Sequence, residues 1–478
     1  MIFTSFEFLC FFLAVVLLRS CLRSFSAEKW LLLAASYCFY LTWSVPCILL
    51  LLLISVSDYY VGRKLGQAED PIHRKRLLIT SLSINLGMLG FFKYGNFFIE
   101  NIWLVLGALG MHFQRPHYDI ILPPAISYFT FASMGYVIDV YYERIAPTRS
   151  LRNYSLFISF FPKLLAGPIM RAADFLPQVQ QRVRANVAQI EAGLCYFLLG
   201  AVKKLVISDQ IATSVNVIFS TPAQYDGLTL LLGALGYAIQ IYCDFSGYSD
   251  MAIGCALLLG FQLPENFQMP YSSVTITEFW RRWHITLSAW FRDYVFLPME
   301  IARKNARNAT LRTTISLTAT MLLCGLWHGA GWNFVIWGGI HGVSLAVHRA
   351  WTTWNPLCGL ADRPVFQLVW TLFSRLLTLG TVLLAWVFFR AESLTDAGTY
   401  LSRMLLWKHD GVRLISPYIL LAIMAVLFTH LLVDKDRNWA REIPERPIPV
   451  RITAYAALVA LLSLFGATDA APFIYFQF

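Results

Sequence analysis

Residues 227–261 read GLTLLLGALGYAIQIYCDFSGYSDMAIGCALLLGF, and this stretch decides the class of fold. Its only charged side chains are Asp244 and Asp250. About 20 apolar residues cross the roughly 30 Å of hydrocarbon in a bilayer, so the stretch is long enough for two membrane-embedded helices. We expect the two aspartates to have structural roles, as helix caps or as partners of a buried arginine.

Similar apolar segments recur along the whole chain of 478 residues, which is 57% hydrophobic and only 14% charged. Soluble domains carry about 25% charged residues, so the composition predicts an integral membrane protein. The other segments lie near residues 3–18, 30–57, 77–112, 121–142, 154–170, 189–207, 312–348, 367–390, 415–433 and 452–467. Because lipid requires each backbone polar group to be satisfied internally, we expect one all-α polytopic domain over residues 1–478.

Several segments are too long for one crossing. Residues 77–112 and 312–348 each predict two helices, as does 227–261, and Pro46 predicts a break within residues 30–57. The count is then about 11–14 membrane-embedded helices. The first segment, MIFTSFEFLCFFLAVVLLRS, lacks the basic start and cleavage site of a signal peptide, so we predict that it is retained as a span.

The formal net charge is +10, and basic clusters occur at residues 62–76, 302–312 and 435–451. Loops that face the cytoplasm and anionic headgroups account for this charge, so no nucleic-acid partner is predicted. Residues 62–76 are the strongest cytoplasmic marker. The nine cysteines show no CxxC pair, which predicts neither a disulfide framework nor a metal site.

One short stretch, FWRRWHITLSAWFRDYVFLP at residues 279–298, is unusually polar for such a chain. Treated as a single helix, it has one broad aromatic face, with Arg281 and Arg292 on another face and His284 at the border between them. Arg282 and Asp293 lie on a third line. Such a helix is too polar to span alone in lipid. Two interpretations stay open: an interfacial anchor, or one wall of a polar cavity.

A second stretch, MLLCGLWHGAGWNFVIWGGIHG at residues 321–342, places His328 at the end of an apolar run. An ionisable group deep in an apolar span indicates a functional site. Burial favours neutral imidazole, which can accept a proton. His341 lies between Gly338 and Gly342, and close helix packing through these glycines explains that neighbourhood, so we favour a structural role for His341.

With these two histidines, the chain resembles the membrane-bound O-acyltransferase (MBOAT) family. The resemblance is to the bacterial branch that contains the alginate O-acetylation membrane subunit and the teichoic-acid D-alanyl transfer protein. It runs through most of the chain as an ordered series of segments. These are FFKYGNFF (91–98), LPPAISYFTFASMGYVIDVYY (122–142), FFPKLLAGPIMRAADFLPQ (160–178), DFSGYSDMAIGCALLLGFQLPENF (244–267), FWRRWHITLSAWFRDYVFLP, GLWHG (325–329), AWVFFRAES (385–393) and FIYFQF (473–478).

The resemblance implies a catalytic histidine at His328 and a second functional histidine at His284. It also implies a ring of membrane helices around a thin centre, with a tunnel that the acyl donor enters from the cytoplasm and the acceptor approaches from outside. One departure is Ala125, where relatives often have glycine. Lys93, Asp139, Lys163 and Arg171 lie in matching segments, but no role for them can be derived from the residues.

Acyl transfer to a hydroxyl needs a base for the attacking group, and His328 is the candidate. His284 is a candidate to orient an acceptor or a donor carbonyl, or to hydrogen-bond His328. Arg281, Arg282 and Arg292 suit the phosphates of a coenzyme A or pantetheine donor, although a positive-inside anchor explains them as well. No Ser-His-Asp or Cys-His spacing stands out, which favours direct transfer without an acyl-enzyme.

The leading hypothesis is therefore a bacterial inner-membrane, multi-pass O-acyltransferase that moves acetyl to hydroxyls of an exported polysaccharide. The donor substrate is acetyl-CoA or an acyl carrier thioester, and no permanently bound cofactor is expected. Its partners are membrane lipid, the polysaccharide acceptor or a periplasmic acetyl-transfer protein, and a polysaccharide synthase complex.

Three alternatives stay open. D-alanyl transfer to a cell-envelope polymer uses the same histidines. A transporter would line its pathway with intramembrane His and Arg, but the chain shows no internal repeat. A non-catalytic assembly subunit would have no need of buried imidazole.

Overall fold

The computed structural model of the chain describes residues 1–111, 120–303, 308–354, 364–432, 436–467, 471 and 473–474. These residues form helices and connecting segments, and no strand occurs among them beyond one isolated bridge between Tyr225 and Val412. The predicted class, an all-α polytopic membrane protein, is confirmed. The eight cysteines within the described ranges are all free thiols.

The chain divides into two compact units, which we describe separately. The first unit comprises residues 1–190 and 255–264. Its helices are α1 (Phe6–Cys21), α2 (Phe25–Leu41), α3 (Ile48–Leu65), α4 (Pro71–Ala108), α5 (Ile126–Tyr141), α6 (Leu151–Ser159), α7 (Phe161–Leu164) and α8 (Ala172–Gln180).

A buried carboxylate organises the core of this first unit. Asp58 on α3 accepts hydrogen bonds from Ser81 at 2.6 Å, Asn85 at 2.7 Å and Ser133 at 2.6 Å. The Ser133 hydroxyl also lies 2.7 Å from that of Tyr154. A buried charge is tolerated only when hydrogen bonds satisfy it, so this network fixes α3, α4, α5 and α6 in one arrangement.

The second unit comprises residues 191–254 and 265–478 and holds both predicted site histidines. The remaining helices are α9 (Val187–Ala201), α10 (Asp209–Ser220), α11 (Gly227–Leu258), α12 (Ile276–Arg282), α13 (Ile285–Phe291), α14 (Leu297–Ala302), α15 (Ala309–His328), α16 (Trp332–Trp354), α17 (Pro364–Arg390), α18 (Leu394–Leu405), α19 (Pro417–Leu432), α20 (Trp439–Glu442) and α21 (Ile448–Phe465). Two π-helical turns, Val202–Ser208 and Arg292–Phe296, follow α9 and α13.

Five described helices are long and apolar enough to cross a membrane: α4, α11, α15, α17 and α21. The other described helices are shorter or less apolar than these five. The count of about 11–14 membrane-embedded helices therefore stays a prediction, as does the single domain over residues 1–478.

Three segment predictions were wrong. Residues 71–108 and 227–258 each form one helix instead of two. Neither contains a proline after its first turn that would force a break, so the sequence permits either arrangement. At 1.5 Å per residue α4 is about 57 Å long, far more than one crossing needs. Residues 154–170, predicted as a span, instead form the end of α6, the short α7 and an irregular buried segment, with Pro162 at the break.

Two other segment predictions are confirmed. Pro46 lies in the connection between α2 and α3. Residues 312–348 form two helices, which meet at the glycine-containing turn after His328. Among the basic clusters, parts of 302–312 and 435–451 lie outside the described residues, as does most of the terminal FIYFQF.

Candidate active site

The predicted polar helix at residues 279–298 is interrupted at His284. Helix α12 ends at Arg282, Trp283 is extended, and α13 begins at Ile285. His284, between the two helices, has φ 41° and ψ 53°. These angles lie in the left-handed region of backbone space, which residues other than glycine rarely adopt. The single-helix prediction was therefore wrong. Such strain persists only where surrounding contacts over-determine it, and it concentrates at functional sites.

Asn266 supplies those contacts. Its backbone oxygen accepts from the amide of Ile285 at 2.9 Å. Its side-chain oxygen accepts from the amide of Thr286 at 3.2 Å and from the Thr286 hydroxyl at 2.8 Å. One asparagine thus holds the start of α13 and forces the chain to reverse at His284.

Helix α12 has its own start signal, a variant of the capping box in which Glu278 bonds the residue before the N-cap Thr275. The Thr275 hydroxyl accepts from the amide of Glu278 at 3.1 Å, and the Glu278 carboxylate accepts from the amide of Val274 at 2.9 Å. Asn266 is not among the predicted site residues, although it lies in the segment ending PENF that carries the family resemblance. A turn residue that acts across 18 positions leaves no periodic signal.

The imidazole of His284 is completely buried. Nδ1 lies 3.1 Å from the side-chain oxygen of Asn266, which can only accept, so Nδ1 carries the proton and Nε2 is the basic nitrogen. Phe245 meets the ring edge-on with centroids 4.6 Å apart. Burial lowers the pKa of His284 to about 3, so this imidazole is neutral at physiological pH.

His328 is the last residue of α15 and is 3% exposed. Aromatic rings surround it: Trp327 at 4.9 Å, Trp337 at 4.9 Å and Phe389 at 5.3 Å between centroids, all edge-on. Gly325 lies one turn before His328. A Cβ there would be only 2.2 Å from the backbone oxygen of Phe334, so glycine lets α16, which carries Trp337, pack closely on α15.

Trp327 connects the two predicted histidines. Its ring centroid lies 6.1 Å from that of His284 and 4.9 Å from that of His328, with edge-on geometry in both cases. The tertiary structure therefore brings residues 44 positions apart in the sequence against one indole. Both imidazoles are buried there, His284 completely and His328 at 3% exposure.

The three predicted donor-binding arginines have different surroundings. Arg282 lies 3.1 Å from Glu278 and 3.1 Å from Asp436, so two carboxylates balance its charge. Arg292 pairs with the adjacent Asp293 at 2.7 Å and is exposed. Arg281 is exposed and forms no ion pair within the described ranges. Of the three, Arg281 is the one whose charge is not already balanced by a carboxylate.

The two aspartates of α11 form ion pairs with lysines. The sequence predicts instead that they cap helices or pair with a buried arginine. Asp250 lies 2.6 Å from Lys203, and Asp244 lies 2.6 Å from Lys204, which also reaches Asp209 at 2.8 Å. The π-helical turn at residues 202–208 carries both lysines. These ion pairs give Asp244 and Asp250 a structural role. The prediction that their partner would be an arginine was wrong.

A cavity of about 370 Å³ lies beside the His284 turn, within the second unit. Its walls include Lys203, Tyr242, Asp250, Asn266 and His430. Asn266 lines the cavity and also contacts the imidazole of His284. Across the described residues, no three His, Cys, Asp or Glu side chains are grouped so as to hold a metal ion.

The model of the membrane-bound O-acyltransferase family matches residues 29–381, which include both histidines and the Asn266 turn. The chain belongs to the MBOAT family. It is accordingly an O-acyltransferase and a membrane protein.

Three relatives of the chain differ in the polymer that their names specify. The chain is 40% identical to the probable alginate O-acetylase AlgI of Pseudomonas aeruginosa, over 83% of this chain and 73% of that protein. It is 36% identical to the peptidoglycan O-acetyltransferase of Helicobacter pylori, over 77% and 72% of the two chains. It is 31% identical to the teichoic acid D-alanyltransferase of Bacillus subtilis, over 54% and 66%.

Proposed function

We propose that this MBOAT chain transfers acetyl from cytosolic acetyl-CoA to hydroxyls of an exported polysaccharide, in the bacterial inner membrane, with His328 as general base. The observation that carries the proposal is the enclosure of His328 by three aromatic rings, one of which also contacts His284. Such a site combines a basic nitrogen with water-poor surroundings.

In the proposed reaction the acceptor oxygen attacks the thioester carbonyl as His328 takes the hydroxyl proton. The tetrahedral intermediate then collapses, the carbon–sulfur bond breaks, and the thiolate leaves with that proton. A positioned base of this kind contributes typically about 10²–10⁴-fold in rate. No acyl-enzyme is required, because the donor carbonyl and the acceptor hydroxyl meet directly.

His284 has the properties of a partner in this step. Its Nδ1–H is committed to Asn266, so Nε2 remains the hydrogen-bond acceptor. We propose that Nε2 accepts from the substrate hydroxyl or from His328 and so orients the base. The same arrangement, a second group that fixes the tautomer of a catalytic imidazole, strongly raises the rate in other acyl-transfer enzymes.

For the donor, we propose that Arg281 contacts the phosphates and that the cavity beside Asn266 holds the pantetheine arm. The cavity volume of about 370 Å³ and its mixed polar and apolar walls suit an amide-containing chain. Arg281→Gln should then raise the KM for acetyl-CoA several-fold. Arg292→Gln should change it less, because Asp293 already neutralises that charge.

Acetyl is favoured over D-alanyl by the extent of similarity. The two O-acetylating relatives named above match 83% and 77% of this chain at 40% and 36% identity, whereas the D-alanyltransferase matches 54% at 31%. The acceptor is either the polymer itself or a periplasmic protein that passes the acetyl group on, and a complex with a polysaccharide synthase would bring acceptor and enzyme together.

The test is mass spectrometry of ester-linked groups on exported and envelope glycans. Cells would carry wild type, His328→Gln, His328→Ala, or no copy, at equal membrane levels. His409→Gln is the matched control, because this exposed histidine lies after α18, away from the aromatic cluster. Loss of acetyl to the deletion level in both His328 variants supports the proposal. Wild-type acetylation in His328→Ala, or D-alanyl esters in place of acetyl, would overturn it.

A further inference from the structure

We propose that His341 is a positioning residue that holds α12 against the α15–α16 pair and so sets the placement of His284 relative to His328. This inference rests on the proposed function, since it concerns the same site. His341 is completely buried on α16. Its Nδ1 accepts a hydrogen bond from Nε1 of Trp280 at 3.3 Å, and Trp280 lies on α12, four residues before His284.

The imidazole also contacts the neighbours of both site histidines. Trp337 meets it with centroids 4.8 Å apart, and the same indole lies 4.9 Å from His328. On the other side, Phe279 stacks on His341 at 6.2 Å and on Trp283 at 5.7 Å. His341 therefore joins the residue that packs on His328 to those that begin the His284 turn.

The α15–α16 pair is rigid enough to act as the fixed side of this connection. A Cβ at Gly338 would lie 2.3 Å from the backbone oxygen of Met321, so the two helix backbones touch. Such close packing leaves no room for α16 to slide along α15. The predicted packing role of this glycine face is thus confirmed, and it ties His341 to the helix that ends at His328.

Burial alone does not explain an imidazole at this position. Because Nδ1 accepts, Nε2 carries the proton, and Nε2 has no hydrogen-bond partner among the described residues. A buried donor without a partner costs free energy that a phenylalanine would avoid. The hydrogen bond to Trp280 is the feature that only a residue with an acceptor at the Nδ1 position can provide.

A second connection between the same helices provides a matched control. The Thr277 hydroxyl lies 2.9 Å from Nδ1 of His348, two turns further along α16. This contact is only half-buried, and the ring contacts that link Trp337 to His328 do not involve it. If any loosening of α12 sufficed to impair the site, breaking either connection would have the same effect.

The experiment measures the initial rate of acetyl-ester formation on exported glycan in cells with equal membrane levels of each variant. We expect His341→Phe and Trp280→Phe each to lower the rate at least tenfold, since misplacement by about 1 Å can cost 10²-fold. His341→Asn places an amide oxygen near the Nδ1 position and should restore most of the rate. The control variants Thr277→Val and His348→Phe should stay within about twofold of wild type.

The rescue distinguishes positioning from simple packing. His341→Asn should restore activity when Trp280 is present. It should not do so in a Trp280→Phe background, because the Nε1–H donor of Trp280 is then gone. Thermal unfolding in detergent must show that each variant is folded. Wild-type rates in His341→Phe, or equal losses in the His348 control, would overturn the inference. Absence of acetyl esters with wild type itself would instead overturn the proposed function.

Discussion

The side-chain oxygen of Asn266 lies 3.1 Å from Nδ1 of His284, and it accepts two further hydrogen bonds from Thr286. One amide therefore holds a strained turn and selects the tautomer of its buried imidazole. The cavity wall and the candidate site meet at this asparagine.

Replacing Asn266 should impair both the fold and the reaction. Asn266→Ala leaves three buried donors without an acceptor, and each such loss costs about 1–3 kcal/mol. We expect a drop of several kcal/mol in unfolding free energy and at least a tenfold lower acetylation rate. Asn266→Asp keeps the acceptor but adds a negative charge, which should raise the pKa of His284.

Calorimetry or tryptophan fluorescence in detergent would measure the stability, and glycan mass spectrometry the rate. Gln224→Ala is a suitable control, because Gln224 is exposed and does not line the cavity. Equal behaviour of the Asn266 and Gln224 variants would contradict the role that we assign to Asn266.

The buried His284 should make the protein sensitive to acid. Its pKa is lowered by burial from 6.5 to about 3, so below pH 6.5 the unfolded chain binds a proton that the folded chain does not. Above pH 6.5 both states are neutral and the effect vanishes. Between pH 6.5 and 5.0 the folded state should lose about 2 kcal/mol from this group.

The measurement is the unfolding free energy in detergent at pH 7.5, 6.5 and 5.0, for wild type and for His284→Asn. The unfolding free energy of His284→Asn should fall less between pH 7.5 and 5.0 than that of wild type. This holds even where the variant is the less stable protein at pH 7.5. Parallel pH curves for the two proteins would show that His284 titrates normally.

Ala125 offers a stabilising substitution. It precedes α5 with φ 63°, in the left-handed region that costs an L-residue about 1–2 kcal/mol and costs glycine nothing. Ala125→Gly should therefore raise the unfolding free energy by up to about 1 kcal/mol, after the entropy that glycine adds to the unfolded chain.

Thermal unfolding in one detergent would detect this change. Ala309→Gly is the control, because Ala309 is exposed at the first position of α15 and has ordinary helical geometry. Glycine there should destabilise by up to about 1 kcal/mol. The opposite signs of the two alanine-to-glycine changes are the result to look for.

The buried lysine cluster should be the most costly site to disrupt. Lys204 lies between Asp244 and Asp209 and also donates to the backbone oxygen of Ala471 at 2.9 Å. Lys204→Met leaves two buried carboxylates without their cation, which costs about 3–5 kcal/mol. We expect poor membrane accumulation and a sharply lower unfolding temperature.

Lys203→Met is the matched comparison. Lys203 is the adjacent residue, but its ion pair with Asp250 is more exposed, at 29% and 19% of the two side chains. Because solvent screens this pair, Lys203→Met should lower the unfolding temperature less than Lys204→Met does. A larger loss for Lys203 would contradict the importance that we assign to the buried cluster.

The sequence by itself determined the class of fold and the residue types of the site. Apolar runs of spanning length that recur along a chain with only 14% charged residues predict a membrane protein, since lipid is the environment in which so many such runs are stable. His328 could be singled out because an imidazole in an apolar run is costly without a role, and His284 because it lies in an unusually polar stretch of an apolar chain. The two helices within residues 312–348 were predictable because a glycine-containing turn separates them.

Only the tertiary structure decided how these residues are arranged. Whether residues 227–258 form one helix or two depends on burial against neighbours, since length and apolarity permit both. The break at His284 depends on Asn266, and the proximity of His284 to His328 depends on Trp327. Such contacts join residues far apart in the chain, so no local periodicity encodes them. They exist only after helices with compatible faces have packed.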